Sequence, residues 1–235
     1  MENAIYMTDS YLKEFEAIVE NVKDDKYIIL DRTAFYPQGG GQPHDTGIMI
    51  SNEEEYPVVY ARKFEGKISH EVAKPGLKVG DVVNCKIDWD RRYKLMRMHT
   101  AAHIIDAVLF NEAGALCTGN QLGLDKSRID FSLDILDKEK IQQYVNMANE
   151  WVKKAVDVKI YTLPREEALK IPGVVKLASV MPPEVSELRI VEIPGIDLQA
   201  DGGTQVKNTS EIGNISLVSV ENKGKNNRRM YFTLD

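Results

Sequence analysis

From Arg91 to Ala113 the chain runs without a proline or a glycine, and Leu95, Met98, Ala102, Ile105 and Leu109 recur along that run at helical intervals. A segment of this kind folds as an amphipathic helix with an apolar stripe on one side. Asp90 is placed as its N-cap and Gly114 as its stop. The run also divides the chain, because the texture before it is different. Lys26 to Leu30, Tyr56 to Phe64 and Asp81 to Asp88 are short apolar or alternating stretches, punctuated by Gly66 and by Pro75-Gly76. They read as strands of a small barrel or sandwich. Tyr11, Phe15, Ile18, Val19 and Val22 recur at helical spacing and predict a short helix over 10–22.

Beyond Gly114 the pattern is mixed. Ile141, Tyr144, Val145, Ala148, Val152 and Ala155 form the stripe of a second helix over 138–155. Val158 to Thr162 reads as a strand, and Pro164 opens a short helix through Lys170. Leu188 to Ile193, Ile215 to Val220 and Met230 to Leu234 are strands, the last two paired across a loop of Asn, Lys and Gly. The expected fold class is α+β, with a β-barrel over residues 1–90 and an α+β domain over 91–235.

Composition narrows the function. With 235 residues and 43% hydrophobic content the chain can bury a sizeable core. No apolar run approaches the roughly 20 residues of a membrane helix, and Met1 to Ser10 lacks the pattern of a signal peptide. Cys85 and Cys117 give no disulfide framework, so they are expected as two ordinary half-buried thiols in a reducing cytoplasm. A net charge of -6 argues against a general nucleic-acid coat. It leaves room for local contact with a small RNA end, and neither a membrane nor DNA is expected as a partner. Arg91, Arg92, Lys94 and Arg97, and again Lys223, Lys225, Arg228 and Arg229, are two basic clusters that could meet phosphates.

Three segments carry chemistry. His99-Thr100-Ala101-Ala102-His103 sets two of the four histidines on one helical face, where both imidazoles can reach one ion. Asp201-Gly202-Gly203-Thr204-Gln205 pairs a carboxylate and an amide across glycines that let backbone N–H groups approach a ligand. Tyr36-Pro37-Gln38-Gly39-Gly40-Gly41-Gln42-Pro43 is a glycine loop that its tyrosine and prolines should keep ordered.

Together these segments resemble the editing region of alanyl-tRNA synthetases. Phe35 to Gly47 is similar to the glycine-rich signature, Met96 to His103 to the HxxxH helix, and Asp201 to Thr209 to the CGGTHVxNT segment. The order is the family's, and the adenylation domain has no counterpart. The chain is therefore identified as a member of the free-standing AlaX-type editing proteins, in the medium form. The resemblance implies a translation-protein-like barrel followed by an editing domain. It implies ATP-independent hydrolysis of seryl- or glycyl-tRNA formed in error on alanine tRNA, as a monomer or homodimer.

The resemblance also assigns residues. Zinc would be held by His99, His103, Asp201 and Gln205, although the family has cysteine at 201 and histidine at 205. Two imidazoles and a carboxylate still make a three-ligand site with an open position, whereas a glutamine amide is a weak ligand. His99, His103, Gly202, Gly203 and Thr204 would serve catalysis, the glycine N–H groups as oxyanion donors. Gln42 and Thr118 would meet the substrate. Thr118, in the loop after the HxxxH helix, would read the serine hydroxyl. Two other readings stand beside this one: an acceptor-end binding module that has lost catalysis, and a metal-dependent hydrolase of another small ester.

Overall fold

The computed structural model describes residues 3–174 and 185–235. Two compact units divide the chain, Met1–Leu95 and Met96–Asp235. In the first, six strands close a barrel: β1 (Glu14–Lys23), β2 (Tyr27–Leu30), β3 (Gly47–Ser51), β4 (Glu54–Phe64), β5 (Lys67–Val72) and β6 (Val82–Ile87). They lie in the order β1-β2-β5-β4-β3-β6, all neighbours antiparallel. Closure removes the open edges that a sheet of this size would otherwise present. Ala17, Val19, Ile28, Phe35, Met49, Val58, Ala61, Val83 and Cys85 fill its interior.

The helix expected over 10–22 is not formed. Residues Glu14–Lys23 are strand β1, pairing with β2 on one side and β6 on the other. The same apolar residues satisfy either period, and the alternation Phe15, Ala17, Val19 is the one that faces the barrel core, leaving Ile18 47% exposed. Pairing with β6 over 14–18 and with β2 over 19–23 gives this backbone long-range partners that a lone short helix would not have. Strands β3 and β5 were not read from the sequence at all. Gly47, in β3, lies so close to β6 that a Cβ there would stand 2.1 Å from the Lys86 carbonyl oxygen.

Within the barrel His70 is fully buried. Its Nδ1–H donates to the Ile28 carbonyl at 2.9 Å, and its Nε2 accepts from the Thr33 hydroxyl at 2.9 Å, which in turn accepts from the Phe35 N–H. Burial pushes its pKa down to about 4. A histidine depressed from 6.5 contributes stability that is complete above pH 6.5 and is lost as pH falls toward 4. We expect about 3 kcal/mol of acid sensitivity from this group. The difference in urea midpoint between pH 6.5 and 4 should be smaller in His70→Gln than in the parent; equal differences would show that the folded barrel does not depress the pKa of His70.

Helix α1 (Trp89–Ala113) begins in the first unit and ends in the second. Its cap is Asp88 rather than Asp90: the Asp88 carboxylate accepts from the Arg91 N–H at 3.2 Å and its carbonyl from Arg92. Asp90 lies inside the first turn, where its charge complements the helix dipole. Gly114, at φ +62, ends the helix with its N–H on the Phe110 carbonyl.

The second unit is α+β. One sheet has the order β12-β13-β8-β7, from β7 (Cys117–Gln121), β8 (Ser127–Phe131), β12 (Ile215–Asn222) and β13 (Arg228–Leu234). The other has the order β11-β10-β9, from β9 (Lys159–Pro164), β10 (Glu187–Ile193) and β11 (Asp197–Ala200). Helix α2 (Lys138–Lys153) is capped by Asp137 and buries Ile141, Tyr144, Val145, Ala148 and Val152. Ala155, counted in its stripe, lies past the end at φ +53. Helix α3 (Arg165–Ala168) follows Pro164. No helix among the described residues is long and apolar enough to cross a membrane.

Candidate metal and hydrolytic site

His99 and His103 lie on one face of α1, ring centroids 5.1 Å apart. Opposite them runs β11 and the residue that follows it. Asp197, Gln199 and Asp201 alternate along this segment, so strand geometry turns all three to the same side. Ligand atoms of His99, His103 and Asp201 all lie within 4.8 Å of one another. The His99 Nε2 is 3.6 Å from Asp201 Oδ1, and the His103 Nε2 is 3.9 Å from Asp201 Oδ2.

Burial and neighbouring charges move the three groups in different directions. Burial pushes His99 down to about 4, leaving a neutral imidazole near neutral pH. Burial alone would raise the Asp201 carboxyl, but His99, His103, Arg189 and the Gly203 N–H outweigh it and hold the group well below the usual carboxylate range. Burial opposes the charged form of His103, and the hydrogen bond and charge of Asp197, with Asp201 and Asp106, outweigh that and raise its pKa.

Asp197 is the residue that sequence reasoning missed. Its carboxylate sits 2.9 Å from His103 Nδ1 and also accepts from Gln199 Nε2 at 3.0 Å. Gln199 Nε2 lies 2.9 Å from the same ring nitrogen. A carboxylate can only accept, so His103 carries its proton on Nδ1 and turns the Nε2 lone pair toward Asp201. This is the tautomer a metal-ligating histidine needs. The signal was present as the alternation of Asp, Gln and Asp at 197, 199 and 201. Arg189, on β10, was also missed. It donates to the Asp201 carbonyl at 2.7 Å and stands 3.6 Å from its carboxylate.

Gln205 converges on the same point. Its Nε2 donates to Asp201 Oδ2 at 3.0 Å and lies 3.3 Å from His103 Nε2, while its Oε1 accepts from the Thr100 hydroxyl at 2.7 Å. The Gly203 N–H is turned onto Asp201 Oδ2 at 2.8 Å, so it shapes the carboxylate rather than facing open space. Thr204 is fully buried and Gly202 is exposed. The segment is tied down by Asn208, which caps a 3-10 turn and donates to the Ala155 carbonyl and Asp157, and by Thr209, which accepts from the Val156 N–H.

Thr118 lies on strand β7 rather than in a loop, exposed, with its hydroxyl donating to Asn227 Oδ1 at 3.1 Å. Gln42 is fully buried in the first unit, in the turn it closes with Gly39. That glycine loop is ordered: Tyr36 donates to the Gly39 carbonyl and Tyr60 to Gln38. The basic clusters are largely internal. Arg92 is fully buried on Asp45, Arg97 donates to the Ile212 and Asp235 carbonyls, Arg228 is buried, and Arg229 pairs with Asp130. Arg91 donates to the His44 carbonyl and Lys223 pairs with Glu221, while Lys94 and Lys225 are exposed cations. Cys85 and Cys117 are fully rather than half-buried free thiols, and burial raises both.

Residues 3–91 match the family described as tRNA synthetases class II (A), and residues 188–231 match the threonyl and alanyl tRNA synthetase second additional domain. The alanyl-tRNA editing protein AlaX-M of Methanosarcina barkeri is 52% identical over 241 residues, covering 100% of this chain and 99% of that protein. The AlaX-M of Methanosarcina acetivorans is 54% identical, with 100% and 99% covered. The alanine–tRNA ligase of Pyrococcus furiosus is 37% identical over 92% of this chain, which spans 24% of that ligase.

Proposed function

As a member of the AlaX-M family of alanyl-tRNA editing proteins, this chain is a trans-editing deacylase, we propose: it hydrolyses the ester that joins serine or glycine, attached in error, to the terminal ribose of alanine tRNA. The convergence of His99, His103 and Asp201 on one buried point carries this reading. The donor set fits a divalent ion, since two imidazole nitrogens and an ionised carboxylate oxygen face one another with Asp197 fixing one ring. When bound, zinc or a similar ion would polarise the ester carbonyl and make water a better nucleophile.

The chain's own residues do the rest. Asp201 keeps its charge because Arg189 and the Gly203 N–H stabilise it. His99 is neutral at working pH and offers a lone pair rather than a proton. Both histidines are buried, which limits contact of the cluster with bulk water. Water adds to the carbonyl carbon, the ribose oxygen leaves with a proton, and free amino acid and tRNA result.

Selectivity for serine over alanine rests on one hydroxyl. A pocket that hydrogen-bonds it rejects alanine far better than a synthetic site of alanine shape rejects serine, by the asymmetry between unpaired polar groups and a missing methyl-sized contact. Thr118 is the proposed reader. Thr118→Val should lower the serine-to-alanine rate ratio about tenfold with seryl- and alanyl-tRNA as substrates; an unchanged ratio removes Thr118 from that role.

A second reading has an observation of its own. The Gln205 amide already bridges Asp201 and His103, so the cluster can close on itself as an inert acceptor-end binding site. Deacylation of seryl-, glycyl- and alanyl-tRNA with and without chelator decides between them. The editing reading expects seryl- or glycyl-tRNA to be cleaved faster than alanyl-tRNA, with activity lost on chelation and restored by zinc. Tight tRNA binding without cleavage would favour the binding module.

A further inference from the structure

We propose that Gln205 is a reversible fourth ligand, whose side-chain amide is turned over by the Thr100 hydroxyl when a divalent cation enters the site. The inference rests on the metal-centre reading above.

The observed orientation suits the cation-free cluster. Gln205 Nε2 spends its N–H groups on Asp201 Oδ2, at 3.0 Å, and toward His103 Nε2, at 3.3 Å. Both of those residues belong to the candidate ligand cluster. A cation on them would face two N–H donors, an arrangement that is electrostatically repulsive. Turning the amide by 180° exchanges Nε2 for Oε1 at the same place and offers the cation a carbonyl oxygen instead. The two orientations have the same shape, so the exchange needs no backbone movement.

The other end of the amide must accept the exchange, and Thr100 can. A hydroxyl has one proton and two lone pairs. One lone pair takes the Val206 N–H at 3.1 Å in either state. In the observed state the proton points to Gln205 Oε1 at 2.7 Å. After the turn the proton goes to the Met96 carbonyl, already 3.1 Å away, and the second lone pair accepts from Gln205 Nε2. The Thr100 hydroxyl proton and the Val206 N–H therefore keep a partner in both states. Thr100, Met96 and Gln205 are all buried, so water cannot substitute for the hydroxyl. The resulting donor set, two imidazoles, one carboxylate and one amide oxygen, favours borderline divalent ions over soft thiophilic ones.

The test is titration of cobalt(II) into the full chain, read by its visible absorption, with folding of each variant checked by circular dichroism. Thr100→Val should weaken cobalt affinity about tenfold, and Thr100→Ser, which keeps the hydroxyl, should stay within about threefold of the parent. Gln205→Ala should weaken binding to a similar degree, and adding Thr100→Val to it should cost nothing more. In the parent, the side-chain amide resonance that Gln205→Ala deletes should shift on adding the ion. Unchanged affinity in Thr100→Val overturns the proposal, as does an equal loss from Thr100→Val in the Gln205→Ala background, which would place the effect at the Val206 backbone. A parent that binds no cobalt overturns the metal centre itself and the switch with it.

Discussion

Arg92→Met is expected to destabilise the N-terminal unit by about 3–5 kcal/mol, the cost of leaving a buried charge without its partner. Arg92 and Asp45 are both fully buried and form an ion pair with each other. The guanidinium also donates to the Ser10 carbonyl at 2.9 Å and to the Ala34 carbonyl, while the Asp45 carboxylate accepts from the Tyr36 N–H at 2.6 Å. One cation therefore gathers the segment before β1, the segment after β2 and the far end of the glycine loop. Methionine fills much of the same volume and supplies none of those donors. The double variant Arg92→Met with Asp45→Asn should lose less than the two single losses added together, because no net charge is then stranded. Urea denaturation of the parent and the three variants measures this. A loss below about 1 kcal/mol for Arg92→Met would mean that water reaches the Asp45 carboxylate when the guanidinium is gone.

Asp201→Asn is expected to weaken divalent-ion binding by at least about 100-fold, and to reduce deacylation with it, since removing a ligand should exceed the 10–100-fold typical of outer partners. The substitution keeps an acceptor for the Gly203 N–H and for Gln205 but removes the negative charge 3.6 Å from His99 and 3.6 Å from Arg189. Gln205→Ala should cost about tenfold, less than Asp201→Asn, because an amide brings no charge to the site. Gln205→His should tighten binding by replacing a weak neutral donor with an imidazole. Zinc titration of the three variants checks the order. Equal affinity for the parent and Gln205→His would place position 205 outside the coordination sphere.

Much of this site was legible from local spacing. A helix free of glycine and proline, with histidines four apart, puts both rings on one face whatever the rest of the chain does. The Asp-Gly-Gly-Thr-Gln segment declared itself by its unusual composition, and the order of the three motifs pointed to the editing family. The stripe of α2 followed from periodicity, and the strands read at 188–193, 215–220 and 230–234 lie within β10, β12 and β13.

What the tertiary structure decided is a matter of long-range pairing. Residues 14–23 fit a helical period and an alternating one, and the choice was made by β2 and β6, which exist as partners only once the barrel closes. Arg92 and Arg97 look like surface cations in the sequence; Arg92 is buried and Arg97 half-buried because carbonyls and a carboxylate distant in the chain come to meet them. Asp197 orients His103 from 94 residues away. The direction of the Gln205 amide is set by Thr100, 105 residues distant. Sequence spacing names the residues that share a face, since that depends only on backbone period. Which groups those faces meet, and which way a proton points between them, depends on contacts that no local pattern encodes.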